Sequence, residues 1–235
     1  MLQVAIIGMG TFGVRMLEEL NEIDAEVIIV DKDQEVIDTY KDLVRDAYIT
    51  DAINQAALEK VVPHDIDAAI IDLSGALEVS IMATVFLKKM EVKNIIVKAR
   101  SDEHGEILKL LGATKVIFPD LDAAQRLTPL LASSVLFNYM QISPDLALAE
   151  VGVLVSWNEK TLAEANMRAE YGLNVVAYRE APTEPFTFIA NINFQFSLSN
   201  ILLVAGTEEA IRSYADQEER DIKTGKKRLI KRLFK

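Results

Sequence analysis

Gly8-Met9-Gly10-Thr11-Phe12-Gly13 stands between an apolar run, Leu2 to Ile7, and an amphipathic stretch that begins at Thr11. Three glycines at this spacing, after a strand and before a helix, constrain the fold more than any other feature of the chain. The first permits the tight turn. The second lets backbone N–H groups approach a pyrophosphate, and the third lets the helix pack close to the strand. The phosphates then meet the positive end of the helix dipole. Met9, Thr11 and Phe12 share this loop and are candidate contacts. Asp31 ends the next apolar run, 18 residues beyond Gly13. A carboxylate there accepts hydrogen bonds from both ribose hydroxyls and repels a 2′-phosphate, which favours NAD(H), ATP, ADP or AMP over NADP. Lys32 follows it on the same rim.

The alternation that starts here continues to about Phe118. LQVAIIG, AEVIIVD, DAYIT, DAAIIDL, NIIVKA and TKVIF are short runs rich in Val and Ile, as expected of parallel strands covered on both faces. Helical patterns separate them, and Gly112 falls where a helix C-cap belongs. The rhythm predicts a Rossmann-like, doubly wound parallel α/β sheet over residues 1–121. Residues 122–141 read as one linking helix, with a kink or break at Pro129. Its Leu127, Leu130, Leu131, Val135, Leu136, Phe137 and Met140 are too much apolar surface for a monomer's helix and predict a dimer. ISPD at 142–145 reads as a linker. Beyond it, LALAEVGVLV, LNVVAYRE, FTFIAN and NILLVAGT look like strands, while KTLAEANMRAE and EEAIRSYADQEE look like helices. This is a small α+β subdomain over 142–218, followed by a basic tail at 219–235.

In an open α/β sheet the ligand lies beyond the C-terminal ends of the strands. Asp51 and Ala52 end the third strand. Asp51 either touches an adenine amino group or N-caps the next helix. Asp72 to Gly75, including Ser74, and Lys98 with Arg100 line the same edge. Lys98 faces a phosphate or pairs with Asp72 or another carboxylate. Catalysis finds little here. A dehydrogenase needs a proton relay. The two histidines, His64 in an exposed turn and His104 at a helix start, read as solvated or helix-start residues rather than catalytic ones. There is no cysteine, which excludes a thiol nucleophile, an Fe–S cluster and a disulfide scaffold. The net charge of −11 argues against nucleic acid as a partner. The start lacks a basic n-region and a cleavage site, and no apolar run reaches membrane-spanning length. Residues 223–235 hold seven Lys or Arg and no acid. With Leu229, Ile230, Leu233 and Phe234 on one helical face, they predict contact with anionic lipid or a membrane partner.

GMGTFG, VDKD at 30–33, TDA at 50–52, VKAR at 97–100 and LGATKVIFPD at 111–120 resemble the RCK (KTN) domain. So does KTLAEANMRAEYGLNVVAYRE, which is similar to that family's C-terminal subdomain. The resemblance covers about residues 2–215 and runs most closely to the single-RCK regulatory subunits of Ktr/Trk-type potassium uptake systems. It implies a cytoplasmic homodimer assembling into an octameric ring beneath an integral membrane potassium-translocating subunit, peripheral to the inner face of the plasma membrane. It implies switching by ATP or ADP, with NAD(H) in some members. By motif, Gly8, Gly10 and Gly13 go to the phosphates, Asp31 to the ribose, Asp51 to the base and Lys98 to the phosphate region. Pro119-Asp120 stands where many members have Pro-Glu, so Asp120 is the candidate ligand for Mg or Ca. Thr11 replaces an Arg common in ATP-responsive members. Lys98 and Arg100 stand where calcium-gated relatives carry acids. A small NAD-dependent oxidoreductase working with a partner subunit is the alternative reading. A nucleotide-sensing transcription regulator is a third, disfavoured by the acidic body and the lack of a DNA-reading helix.

Overall fold

The computed structural model describes residues 1–73, 75–133 and 135–223, with side chains described as far as residue 217. The chain divides into two compact units, Met1–Asp120 and Leu121–Lys235.

The first unit alternates β1 (Gln3–Ile7), α1 (Thr11–Glu22), β2 (Glu26–Asp31), α2 (Gln34–Tyr40), β3 (Asp46–Ile49), α3 (Gln55–Val61), β4 (Ala68–Ile71), α4 (Leu77–Lys89), β5 (Ile95–Lys98), α5 (Asp102–Leu111) and β6 (Lys115–Ile117). All strand pairs are parallel, in the order β3-β2-β1-β4-β5-β6. The continuous apolar runs follow from burial on both faces. Ala5, Ile7, Ile28, Val30 and Ile71 enter one core with Leu58, Phe86, Leu87 and Leu108 from α3, α4 and α5. Their neighbours Val4, Ile6, Val27, Ile29 and Ile70 enter the opposite core with Leu17 of α1 and Ile37 of α2. Alternate residues of one strand thus feed two cores, as strand pleating demands. Gly112 caps α5 in the left-handed conformation at φ 116°. The order reverses direction between β1 and β4, which opens a crevice at their C-terminal ends.

The linking helix is shorter than its apolar content suggests. α6 spans Pro119–Ala132, runs through Pro129 and ends one turn later. Residues 136–143 form a strand, β7 (Leu136–Ser143), instead of the predicted second half of the helix. The reason is packing: Val135, Leu136 and Tyr139 are buried in the core of the second unit. ISPD is likewise a hairpin rather than a linker, since β7 turns directly into its antiparallel partner β8 (Leu146–Gly152). α7 (Leu162–Ala165), closed by a Thr161–Glu164 capping box, and α8 (Met167–Tyr171) replace the single helix expected over KTLAEANMRAE. Asn166 divides them by adopting φ 45°, a region Asn tolerates better than most residues. β9 (Asn174–Arg179), β10 (Thr187–Phe188), β11 (Ile201–Gly206) and α9 (Glu208–Lys223) complete the unit. Its antiparallel sheet has the order β10-β9-β11-β8-β7. Trp157, Tyr171, Phe196 and Tyr214 pack edge-on or stacked against its core, and the Tyr214 hydroxyl donates to the Gly152 carbonyl at 2.6 Å.

Among the described residues no helix is long and apolar enough to cross a membrane. The basic tail expected at 223–235 lies outside the described residues from 224 onward.

Candidate functional site

The site grows from the turn between β1 and α1. Gly8 takes φ 86°, and its N–H donates to the Val30 carbonyl at 2.8 Å. A Cβ there would lie 2.5 Å from the Asp72 carbonyl oxygen. One at Gly13 would lie 2.6 Å from the Gly8 carbonyl oxygen, so the third glycine is a close helix–strand contact. Gly10 is different. Its missing Cβ leaves room for a side chain of the protein itself: the Asp72 carboxylate would be 2.3 Å away.

Asp72 follows β4 and has a side chain only 1% exposed. Its Oδ2 accepts the N–H groups of Phe12 and Gly13, both at 3.0 Å. These are first-turn donors that α1 cannot satisfy internally, at the positive end of its dipole. Lys98 Nζ, on β5, lies 3.6 Å from Asp72 Oδ1. Lys98 is thus paired with Asp72.

Asp31 is tied to the glycine loop. Its Oδ2 accepts the Met9 N–H at 2.8 Å and its Oδ1 accepts the Asp33 N–H at 3.0 Å. Asp33 in turn caps α2. Lys32 beside them is exposed. Asp51 does not N-cap α3: Asn54 does, accepting the Ala57 N–H at 3.2 Å, three residues closer to the helix. Asp51 instead closes a tight turn by accepting the Ile53 N–H at 3.1 Å. Ala52 is a core residue, 5% exposed. Ser74 lies outside the described residues.

A cavity of about 570 Å³ opens beside the loop, within the range of ligand sites. It brings Met9, Gly10, Thr11 and Phe12 together with Lys98 and Asp120. Arg15, Glu18 and Tyr40 also line it, and the sequence reading passed over all three. Arg15 lies one helical turn beyond Thr11, on the same face, and this spacing was a usable signal. Tyr40 reaches the cavity from the end of α2 and has no local signature. Among the described residues there is no group of three or more His, Asp or Glu arranged to hold a metal ion.

Neither histidine lines the cavity. His64 is exposed, as expected of a turn. His104 sits in the first turn of α5 but is buried, 3% exposed, which corrects the solvated reading. Its Nδ1 accepts the Arg100 N–H at 3.3 Å, so the proton of the neutral ring is on Nε2 and is donated to Ser80 Oγ at 3.0 Å. Ser80 passes its own proton to the Leu77 carbonyl at 2.9 Å. Burial pushes the His104 pKa below its ordinary value. The folded protein therefore holds this proton less tightly than the unfolded chain. Stability from this residue is complete above about pH 6.5 and falls as the pH drops below it. Urea denaturation between pH 7.5 and 5 is expected to show that decline, and His104→Gln is expected to flatten it. Parallel profiles for the two proteins would remove His104 as the cause.

A parallel sheet with its switch point at β1 and β4, a glycine turn opening α1 and a carboxylate at the end of β2 define a Rossmann-type nucleotide-binding domain. Residues 4–119 match the TrkA-N domain. The chain is 29% identical to Ktr system potassium uptake protein C of Bacillus subtilis (strain 168) over 177 residues, 75% of this chain and 80% of that protein. The fold is similar to the crystal structure of the GsuK RCK domain, with a TM-score of 0.63 at 18% identity, over 92% of this chain and 47% of that one. It is similarly close to the GsuK channel bound to NAD, with a TM-score of 0.61 at 18% identity over 89% of this chain and 38% of that one. The chain thus spans about half or less of the GsuK chains it resembles.

Proposed function

We propose that this protein is a regulatory subunit that binds an adenine nucleotide at the β1–α1 edge and thereby switches potassium movement through a membrane partner. The observation that carries the reading is the glycine turn locked to Asp31 beside an open cavity, in a TrkA-N domain whose relatives include a Ktr potassium uptake protein. NAD in the GsuK channel supports a nucleotide as the ligand class.

The residues fit such a ligand. The glycine loop places the phosphates at the start of α1, with Gly8 making the turn, Gly10 making room for Asp72 and Gly13 letting α1 pack close to β1. A carboxylate offers about four lone-pair sites, and Asp31 uses one on each oxygen for Met9 and Asp33, leaving acceptors for ribose hydroxyls. Asp51 faces the base, Lys98 balances charge near the phosphates, and Asp120 is the residue to hold a divalent cation carried by them. On this reading the protein acts by binding rather than chemistry, since neither histidine lines the cavity. Leu127 and Leu131, 58% and 88% exposed on α6, are apolar surface for a second copy, and we extend the reading to a homodimer within a ring on the cytoplasmic face of the membrane.

A ligand shifts a conformational equilibrium only through different affinities for the two states. Such couplings are typically about 1–3 kcal/mol per site, and identical sites in a ring multiply them. Potassium flux into vesicles carrying the membrane partner and this subunit is expected to change on adding at least one of ATP, ADP and NADH. Flux that stays at the ligand-free level with all three rejects the switch.

A further inference from the structure

The adenine nucleotides differ in the charge they bring to the start of α1. NAD carries one pyrophosphate bridge with a single charge on each phosphate, whereas ATP ends in a more highly charged terminal phosphate. In this protein that place already holds an anion. The Asp72 carboxylate, 1% exposed, occupies the N–H groups of Phe12 and Gly13. The cations around the cavity are already matched. Lys98 lies 3.6 Å from Asp72, and Arg15 lies 2.5 Å from Glu18. Asp120 adds a further carboxylate to the lining. No surplus of positive charge among these residues awaits a triphosphate.

Resting on the nucleotide reading, we infer that Asp72 is a specificity-determining residue: by filling the N-terminus of α1 with a fixed negative charge, it selects a dinucleotide of low phosphate charge and disfavours ATP. Two effects enforce the choice. Negative charge brought close to a buried carboxylate meets repulsion that water and salt screen poorly. Moving Asp72 aside does not relieve it, because a buried carboxylate stripped of its donors and its cation is strongly destabilising. Gly10 secures the arrangement, since any side chain there would collide with Oδ2 at 2.3 Å.

Calorimetry on the full chain with NAD⁺, ADP and ATP, without divalent cation and at fixed ionic strength, tests this. The wild type is expected to bind NAD⁺ about tenfold more tightly than ATP, or better. Asp72→Asn keeps the size and one oxygen acceptor while removing the charge. It is expected to lower the ATP-to-NAD⁺ ratio of dissociation constants about tenfold, mainly through tighter ATP. Lys98→Met, which leaves Asp72 without its cation, is expected to raise the ratio. A wild type that binds ATP as tightly as NAD⁺ overturns the inference, as does either variant with the wild-type ratio. If Asp72→Asn does not fold, the wild-type ratio and Lys98→Met decide the matter. Failure of all three ligands to bind the wild type overturns the nucleotide reading itself, an outcome distinct from equal ratios.

Discussion

Gly8→Ala is expected to destabilise the N-terminal unit by about 2–5 kcal/mol, combining left-handed backbone strain with overpacking. Gly8 holds φ 86°, where an L side chain is strained regardless of space. The new methyl would also lie 2.5 Å from the Asp72 carbonyl oxygen. That oxygen belongs to backbone and cannot swing away. The Asp72 N–H is fixed to the Ile7 carbonyl at 2.9 Å, so moving it disturbs the junction between β1 and β4. Gly13→Ala meets the backbone oxygen of Gly8 at 2.6 Å but without the positive φ, and about 1–3 kcal/mol is expected. Gly75→Ala is the control, because a Cβ there has nothing within 4 Å. Urea denaturation of the three variants checks the order. A Gly8→Ala protein within roughly 0.5 kcal/mol of wild type, the range of an ordinary surface change, would mean that the turn is not held as described.

Asp31→Ala is expected to weaken every adenine nucleotide by about 1.5–3 kcal/mol, the worth of hydrogen bonds to a charged acceptor. The loss has two sources. Direct ribose contacts go, and so does the anchor of the glycine loop, since Asp31 accepts from Met9 at 2.8 Å and from Asp33 at 3.0 Å. Discrimination against NADP should relax as well, because the charge that repels a 2′-phosphate has been removed. Calorimetry with ADP, NAD⁺ and NADP⁺ on both proteins reads all of this. ADP binding that is the same in the mutant would end the assignment of Asp31 to the ribose.

The parts of this protein that could be read from its sequence are those with a local cause. The glycine turn needs particular backbone angles and close approaches, so its residues announce it. The six strands of the first sheet appear as Val- and Ile-rich runs because both faces are covered. Gly112 marks the end of α5 for the same kind of reason. What escaped depends on partners far along the chain. From Leu127 to Met140 the apolar residues satisfy a helical period, and only the second core, which buries Val135, Leu136 and Tyr139, makes residues 136–143 a strand. Asp72 was visible as an ion-pair partner for Lys98. Its hold on Phe12 and Gly13 spans 60 and 59 residues and has no signature near either end. Of the two roles open to Asp51, the N-cap of α3 falls to Asn54, which stands three residues closer to the helix.

The place of β11 in the second sheet bears on how the chain assembles as it is made. The six strands of the first sheet are all present by Ile117, whereas the second sheet is incomplete until Gly206 has emerged. β11 lies between β9 and β8, bonded to both. Until it arrives, the β7–β8 hairpin and the β9–β10 pair are separate ribbons, each with open edges. At about 5–20 residues per second, ribosomal synthesis leaves those ribbons waiting for some seconds. Unpaired edges are templates for intermolecular pairing, so a ribosome stalled or a message cut short before Ile201 would release a finished first domain joined to an aggregation-prone second one.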